Sequence, residues 1–142
     1  MKKRIHLLII IVLSIGGLTT LIGLCVIGVR RAMDDAMRLA AEDAVMMVSG
    51  EVAMLYRRES APTPVAIDAA ICQLHNAGVT GVALATAGKP VDLYGTPFRV
   101  SHAVAGMRHI VTATSAGPDR VFGTSDDITR VAGWEPSPPS KQ

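Results

Sequence analysis

The sequence predicts an α+β chain. A long N-terminal helix, half membrane-spanning and half amphipathic, is expected to pack on a short helix and a small antiparallel sheet. Three observations point there. Residues 7–29 carry no charge, and residues 32–59 repeat apolar side chains at helical spacing. Beyond Pro62 and Pro64 come short β-like runs divided by Gly and Pro.

The apolar run from Leu7 to Val29 is 23 residues long. At 1.5 Å per residue it reaches roughly 35 Å, enough for a hydrocarbon core of about 30 Å. Lys2, Lys3 and Arg4 precede it, and Arg30 and Arg31 follow. A cleavable signal peptide has a shorter apolar core and a small-x-small cleavage site. The run instead closes on Val29-Arg30-Arg31, and Leu24 before Cys25 makes a poor lipoprotein site. Residues 1–31 are therefore expected to be a retained anchor in contact with membrane lipid. The basic N-terminus favours the cytoplasmic side. This gives a single-pass protein of the cytoplasmic membrane, with a periplasmic or extracellular body.

From Ala32 to Glu59 the pattern stays helical. Met33, Met37, Ala40, Ala44, Met47, Val48 and Leu55 form the expected buried stripe, with Asp34, Asp35, Glu42, Asp43 and Glu51 largely off it. Gly50 is a weak point, costing about 1 kcal/mol against Ala, and Pro62 and Pro64 end the helix. A second helix is expected over 64–76, stopped by Gly78. Strands follow over 79–86, 98–103 and 108–114, with turns at Gly88-Lys89-Pro90 and Gly95-Thr96-Pro97. The globular domain is expected to run from 32 to 134. The Pro- and Ser-rich residues 135–142 are expected to form a disordered tail.

The chain has 14 basic and 12 acidic residues. Five basic residues belong to the anchor, so the remainder carries nine against twelve, a net −3. No basic patch with interleaved aromatics remains, which argues against a nucleic-acid partner. Cys25 in the anchor and Cys72 in the body cannot pair within one chain. A small domain without disulfides gains most from a metal or a partner.

The chemistry concentrates between Ser115 and Ile128. Asp119, Asp126 and Asp127 share this short loop with hydroxyls and two glycines, and Arg120 is its one cation. Gathered carboxylates repel, and a calcium ion accepts six to eight oxygen ligands in flexible geometry. The spacing is not that of an EF-hand, and a polar turn explains the same residue types.

Ser-Ala-Gly-Pro-Asp, then Phe-Gly-Thr-x-Asp-Asp-Ile and Trp134, resembles the C-terminal loop of the major pseudopilins of type II secretion systems. Asp92-Leu93-Tyr94-Gly95-Thr96-Pro97-Phe98 is similar to that family's Asp-Pro-Trp-Gly-x-Pro-Tyr segment. The resemblance implies a pilin-like fold and a structural Ca²⁺ in the loop. Asp119, Asp126 and Asp127 would supply side-chain oxygens, and Ala116 and Val121 carbonyls with Ser125 would complete the shell. It also implies other pilin-like subunits as partners through the N-terminal helix, with no small-molecule substrate.

The chain departs from the family at two places. Ile5-His6-Leu7-Leu8 stands where a leader ending in Gly and Phe-Thr-Leu-x-Glu is usual, and the apolar run contains no acid. Arg120 stands where Gly commonly follows the Asp, a strained choice if that position has positive φ. Missing cleavage chemistry favours a rival reading, a membrane-tethered binding module that keeps the fold without assembling.

Catalytic chemistry is weakly represented, and no enzyme is expected. His102 and His109 flank a turn, but zinc needs three or four ligands, so Cys72 or Asp92 would have to join them. Ser101, His102 and Ser115 lack a Gly-x-Ser-x-Gly elbow, which leaves a small anchored hydrolase as the least favoured reading. Asp92 and Asp119 as a glycosidase pair lack an aromatic cleft.

Overall fold

The computed structural model describes residues 2–59 and 61–136; within the first helix, side chains are described at residue 17 and from residue 19 onward. The chain is α+β, ordered α1 (Lys2–Arg58), α2 (Pro64–Asn76), β1 (Val82–Leu84), β2 (Pro90–Asp92), β3 (Arg99–Ala105), β4 (Arg108–Ser115) and β5 (Ile128–Trp134). It divides into two compact units, Met1–Ala36 and Met37–Gln142.

The first unit is helix. Leu21, Leu24, Val26 and Val29 are exposed along it, and the Thr20 hydroxyl donates back to the Gly17 carbonyl at 2.9 Å. Among the described residues no helix is long and apolar enough to cross a membrane. The side chains of residues 7–16, the first part of the expected span, lie outside the described residues. So do residues 137–142 of the expected tail.

The second unit is built around the later turns of α1. Ala41, Ala44, Val45, Val48 and Val52 are all buried, at spacings of three and four that draw one stripe down the helix. They meet Ile71 of α2, Val82 of β1, Val111 and Ala113 of β4, and Ile128 of β5. This corrects the expected stripe. Ala44 and Val48 belong to it, but Met33, Met37 and Met47 are exposed. The reason is close approach: small side chains let the neighbouring backbone come near. Gly81, with φ +99°, passes so close that a Cβ there would lie 2.5 Å from the Ala40 carbonyl oxygen and 2.7 Å from Ala44 Cβ.

Helix α2 starts as its sequence requires. Thr63 caps it by accepting the Ala66 N–H at 3.2 Å, with Pro64 in the first turn, where no N–H is needed. It ends at Asn76, capped by Ala77, with Gly78 beyond in the left-handed region.

The strands form two antiparallel sheets, β1-β2 and β3-β4-β5. Three strands differ from expectation. β1 covers only Val82–Leu84 of the expected 79–86, β2 occupies part of the expected Gly88-Lys89-Pro90 turn region, and β5 follows the loop as a full edge strand. In the larger sheet Val111, Ala113 and Ser115 of β4 are buried, alternating with half-buried neighbours. Their partners on β5 are Ala132, Arg130 and Ile128, so these residues share the face that packs on α1. Arg130 donates to Glu42 of α1 at 2.6 Å, an ion pair across that junction.

Candidate metal-binding loop

The loop leaves β4 at Ser115 and enters β5 at Ile128, and these two residues are ladder partners. The sheet thus closes a twelve-residue excursion, 116–127. Its base is anchored by a carboxylate from another element. Asp92, 1% exposed, accepts the Tyr94 N–H at 3.0 Å and the Thr96 N–H at 2.8 Å on Oδ1. Its Oδ2 accepts the Ser115 hydroxyl at 2.5 Å. Ser115 Oγ in turn accepts the Gly117 N–H at 3.3 Å. The two segments that carry the pseudopilin resemblance are therefore joined through one buried hydrogen-bond chain.

The three loop aspartates are tied mainly to loop backbone. Asp119 Oδ1 accepts the Val121 N–H at 2.8 Å. Asp126 Oδ2 accepts the Asp119 N–H at 3.1 Å, and its Oδ1 accepts the Thr124 hydroxyl at 2.5 Å. The Thr124 hydrogen bond, then the Asp119 N–H, hold the Asp126 carboxyl below its ordinary value, because both favour the charged form. Asp127 Oδ2 accepts the Gly123 N–H at 2.8 Å. Its other oxygen, Oδ1, is buried without a hydrogen-bond partner.

The other expected ligands are spread over the loop. Ala116 is fully buried at its start. Val121 is exposed, and its carbonyl lies 3.1 Å from Thr124 Oγ1. Ser125 is exposed. Among the described residues no three His, Cys, Asp or Glu side chains converge as a metal-ligating group. What the loop offers is oxygen: carboxylates, carbonyls and hydroxyls, with one buried carboxylate oxygen lacking a partner. That donor class suits a hard cation such as Ca²⁺, and an unpaired buried acceptor is otherwise a cost of about 1–3 kcal/mol.

Two backbone features shape the loop. Gly117 has φ +67°, and a Cβ there would collide with the Asp126 carbonyl oxygen and lie 2.9 Å from Asp126 Oδ2. Arg120 has φ +61° and is the one non-glycine with positive φ among the described residues. The left-handed region costs an L-residue roughly 1–2 kcal/mol, and Gly gives part of that back through unfolded-state entropy. Arg120→Gly is therefore expected to raise stability by about 0.5–1 kcal/mol, measured by chemical denaturation. A fall in stability would show that Arg120 makes a compensating contact.

Sequence reasoning missed the Asp92–Ser115 link, although Asp-x-Tyr-Gly-Thr carries the signal of an aspartate capping its own turn. It also missed Arg99, whose guanidinium sits 4.0 Å from the Phe122 ring centroid and pins the loop to β3. Of the side chains weighed for zinc, His102 and His109 do meet, while Asp92 is taken up by the Tyr94 and Thr96 N–H groups and the Ser115 hydroxyl, and Cys72 Sγ lies 3.7 Å from the Gly88 carbonyl. Both cysteines are free thiols. No family model, curated protein or solved structure matches this chain.

Proposed function

We propose that this chain is a pseudopilin-like structural subunit, or accessory, of a type II secretion or type IV pilus-like assembly. In this reading its N-terminal helix anchors it in the cytoplasmic membrane and offers the contact to other pilin-like subunits. Its 115–128 loop holds a structural Ca²⁺. The order of elements, the two resembling segments and the oxygen-rich loop support the reading. The single observation that carries the calcium part is Asp127 Oδ1, a buried carboxylate oxygen with no partner.

Asp119, Asp126 and Asp127 would hold the ion, with the carbonyls of Ala116 and Val121 and with Ser125. The bound cation supplies positive charge against the carboxylate repulsion and a partner for the orphaned oxygen. The chain's own residues do the rest. Asp92 and Ser115 fix where the loop leaves the sheet, Gly117 lets it turn against Asp126, and Phe122 fastens its middle under Arg99.

Calorimetric titration of the full chain in detergent micelles with Ca²⁺ tests this. Saturable binding at one site, lost in Asp127→Ala, is expected. No binding heat, or binding unchanged in Asp127→Ala, contradicts it. The absence of an acid in the apolar run favours a second reading, a tethered module that does not assemble. Crosslinking from the N-terminal helix to pilin-like chains in cells separates the two.

A further inference from the structure

We propose that His102 and His109 form a proton-controlled latch that fastens the C-terminal end of α1 to the three-stranded sheet. The register places them together. His102 faces Val111 and His109 faces Val104 across β3 and β4, so the two histidines are diagonal neighbours on one face. His109 is also the ladder partner of Trp134 on β5.

A continuous stack results. The Tyr56 ring of α1 lies 4.2 Å from His102, centroid to centroid, with planes 25° apart. His109 lies 4.8 Å from Trp134 at 17°. Between the two histidines, His102 Nε2 and His109 Nδ1 are 3.2 Å apart. One helix and three strands are thus joined through four aromatic rings.

The central contact needs one N–H and one lone pair. A pair that is neutral, or carries a single extra proton, meets that need. In the singly charged state the hydrogen bond is charge-assisted, and the cation lies against aromatic faces. A second extra proton leaves two N–H groups and two positive charges facing each other, and the contact cannot persist.

The surroundings add to this bias. From α1, the Arg57 guanidinium lies 5.6 Å from the Trp134 ring centroid. Glu51 of α1 lines the same groove, a space of about 430 Å³ floored by Ala132, Gly133 and Trp134. From β5, Arg130 is paired with Glu42. Arg108 of β4 lies against Gly133, which pairs with Ile110 on the sheet's other face. Arg57 thus sets a fixed positive charge over the Trp134 end of the stack. Acidification through the range where histidine titrates, about pH 8 to 5, opens the latch and frees Trp134 and the last turn of α1.

Trp134 is the chain's one tryptophan, so its emission reports the latch directly. The full chain in detergent micelles is acidified from about pH 8 to 5 while Trp134 emission and far-UV circular dichroism are followed. The expected result is a reversible red shift with helix content unchanged. His102→Gln and His109→Gln are each expected to abolish that shift. His75→Gln, which alters a ring bonded to the Val82 carbonyl at 2.9 Å, is expected to leave it intact. A flat wild-type profile, or a shift that survives both latch substitutions, overturns the proposal. Should the variants not fold, ring NMR of the wild-type histidines decides. Loss of the Trp134 ring-current shift on His109 as the pair gains its second proton supports the latch, and retention of that shift down to about pH 5 overturns it.

Discussion

Asp92→Ala is expected to lower the unfolding free energy by about 3 kcal/mol or more, because it strands three donors at once. The carboxylate is 1% exposed and accepts two backbone N–H groups and the Ser115 hydroxyl. Alanine removes the acceptors and leaves the Ser115 hydroxyl buried and the Tyr94 and Thr96 N–H groups half-buried. At roughly 4–8 °C per kcal/mol for a domain of this size, the melting midpoint should fall by more than about 10 °C. Asp92→Asn is expected to cost less, since its carbonyl can still take the Tyr94 and Thr96 N–H groups and its amide can donate to Ser115 Oγ. A loss below about 1 kcal/mol in the alanine variant, less than one unmade buried hydrogen bond, would show that Asp92 is not the anchor described above.

Gly117→Ala is expected to be nearly as severe, for a different reason. The backbone there sits at φ +67°, and the added methyl meets the Asp126 carbonyl, a backbone atom that cannot swing aside. Left-handed strain of roughly 1–2 kcal/mol and overpacking of typically 1–3 kcal/mol act together, giving a loss of about 2–5 kcal/mol. The substitution pushes Asp126 away from the Asp119 N–H it accepts, so it should also weaken calcium binding. Chemical denaturation and a calcium titration on the same variant test both effects. Unchanged stability would contradict the close approach of Gly117 to Asp126.

Local signals made the helices readable and left the long-range contacts hidden. The helical period from Ala32 with the break at Pro62 and Pro64 places the end of α1, and the 64–76 pattern with the Gly78 stop places α2, within a residue of their observed ends. The expected stripe holds at Ala44 and Val48 and fails at Met33, Met37 and Met47 because Met and Val carry the same apolar signal. Only the approach of Gly81 to Ala40 and Ala44 explains why the smaller residues face inward. β2 is three residues long, begins with proline and is buried throughout, so it offers no alternation to detect. Ile128–Trp134 does alternate in burial, but its sequence, Ile-Thr-Arg-Val-Ala-Gly-Trp, carries a central Arg on the buried side and a Gly near its end, which blur the alternation. The loop's residue types were legible. Its hydrogen bonds were not, because Asp92 and Ser115 are 23 positions apart and nothing local pairs them. The positive φ of Arg120 was foreseeable only as a conditional strain.

If a cation completes the loop, thermal unfolding of the full chain depends on it. Trp134 emission is followed in micelles at constant pH, with Ca²⁺ at one hundred times its measured dissociation constant and then with chelator. Occupancy at that level adds about 2.7 kcal/mol, or a midpoint shift of roughly 10 °C. That shift is expected in the wild type, and its loss is expected in Asp127→Ala. A cooperative melt with the same midpoint in calcium and in chelator would contradict it, and residues 115–128 would then stand as a turn held by its own backbone.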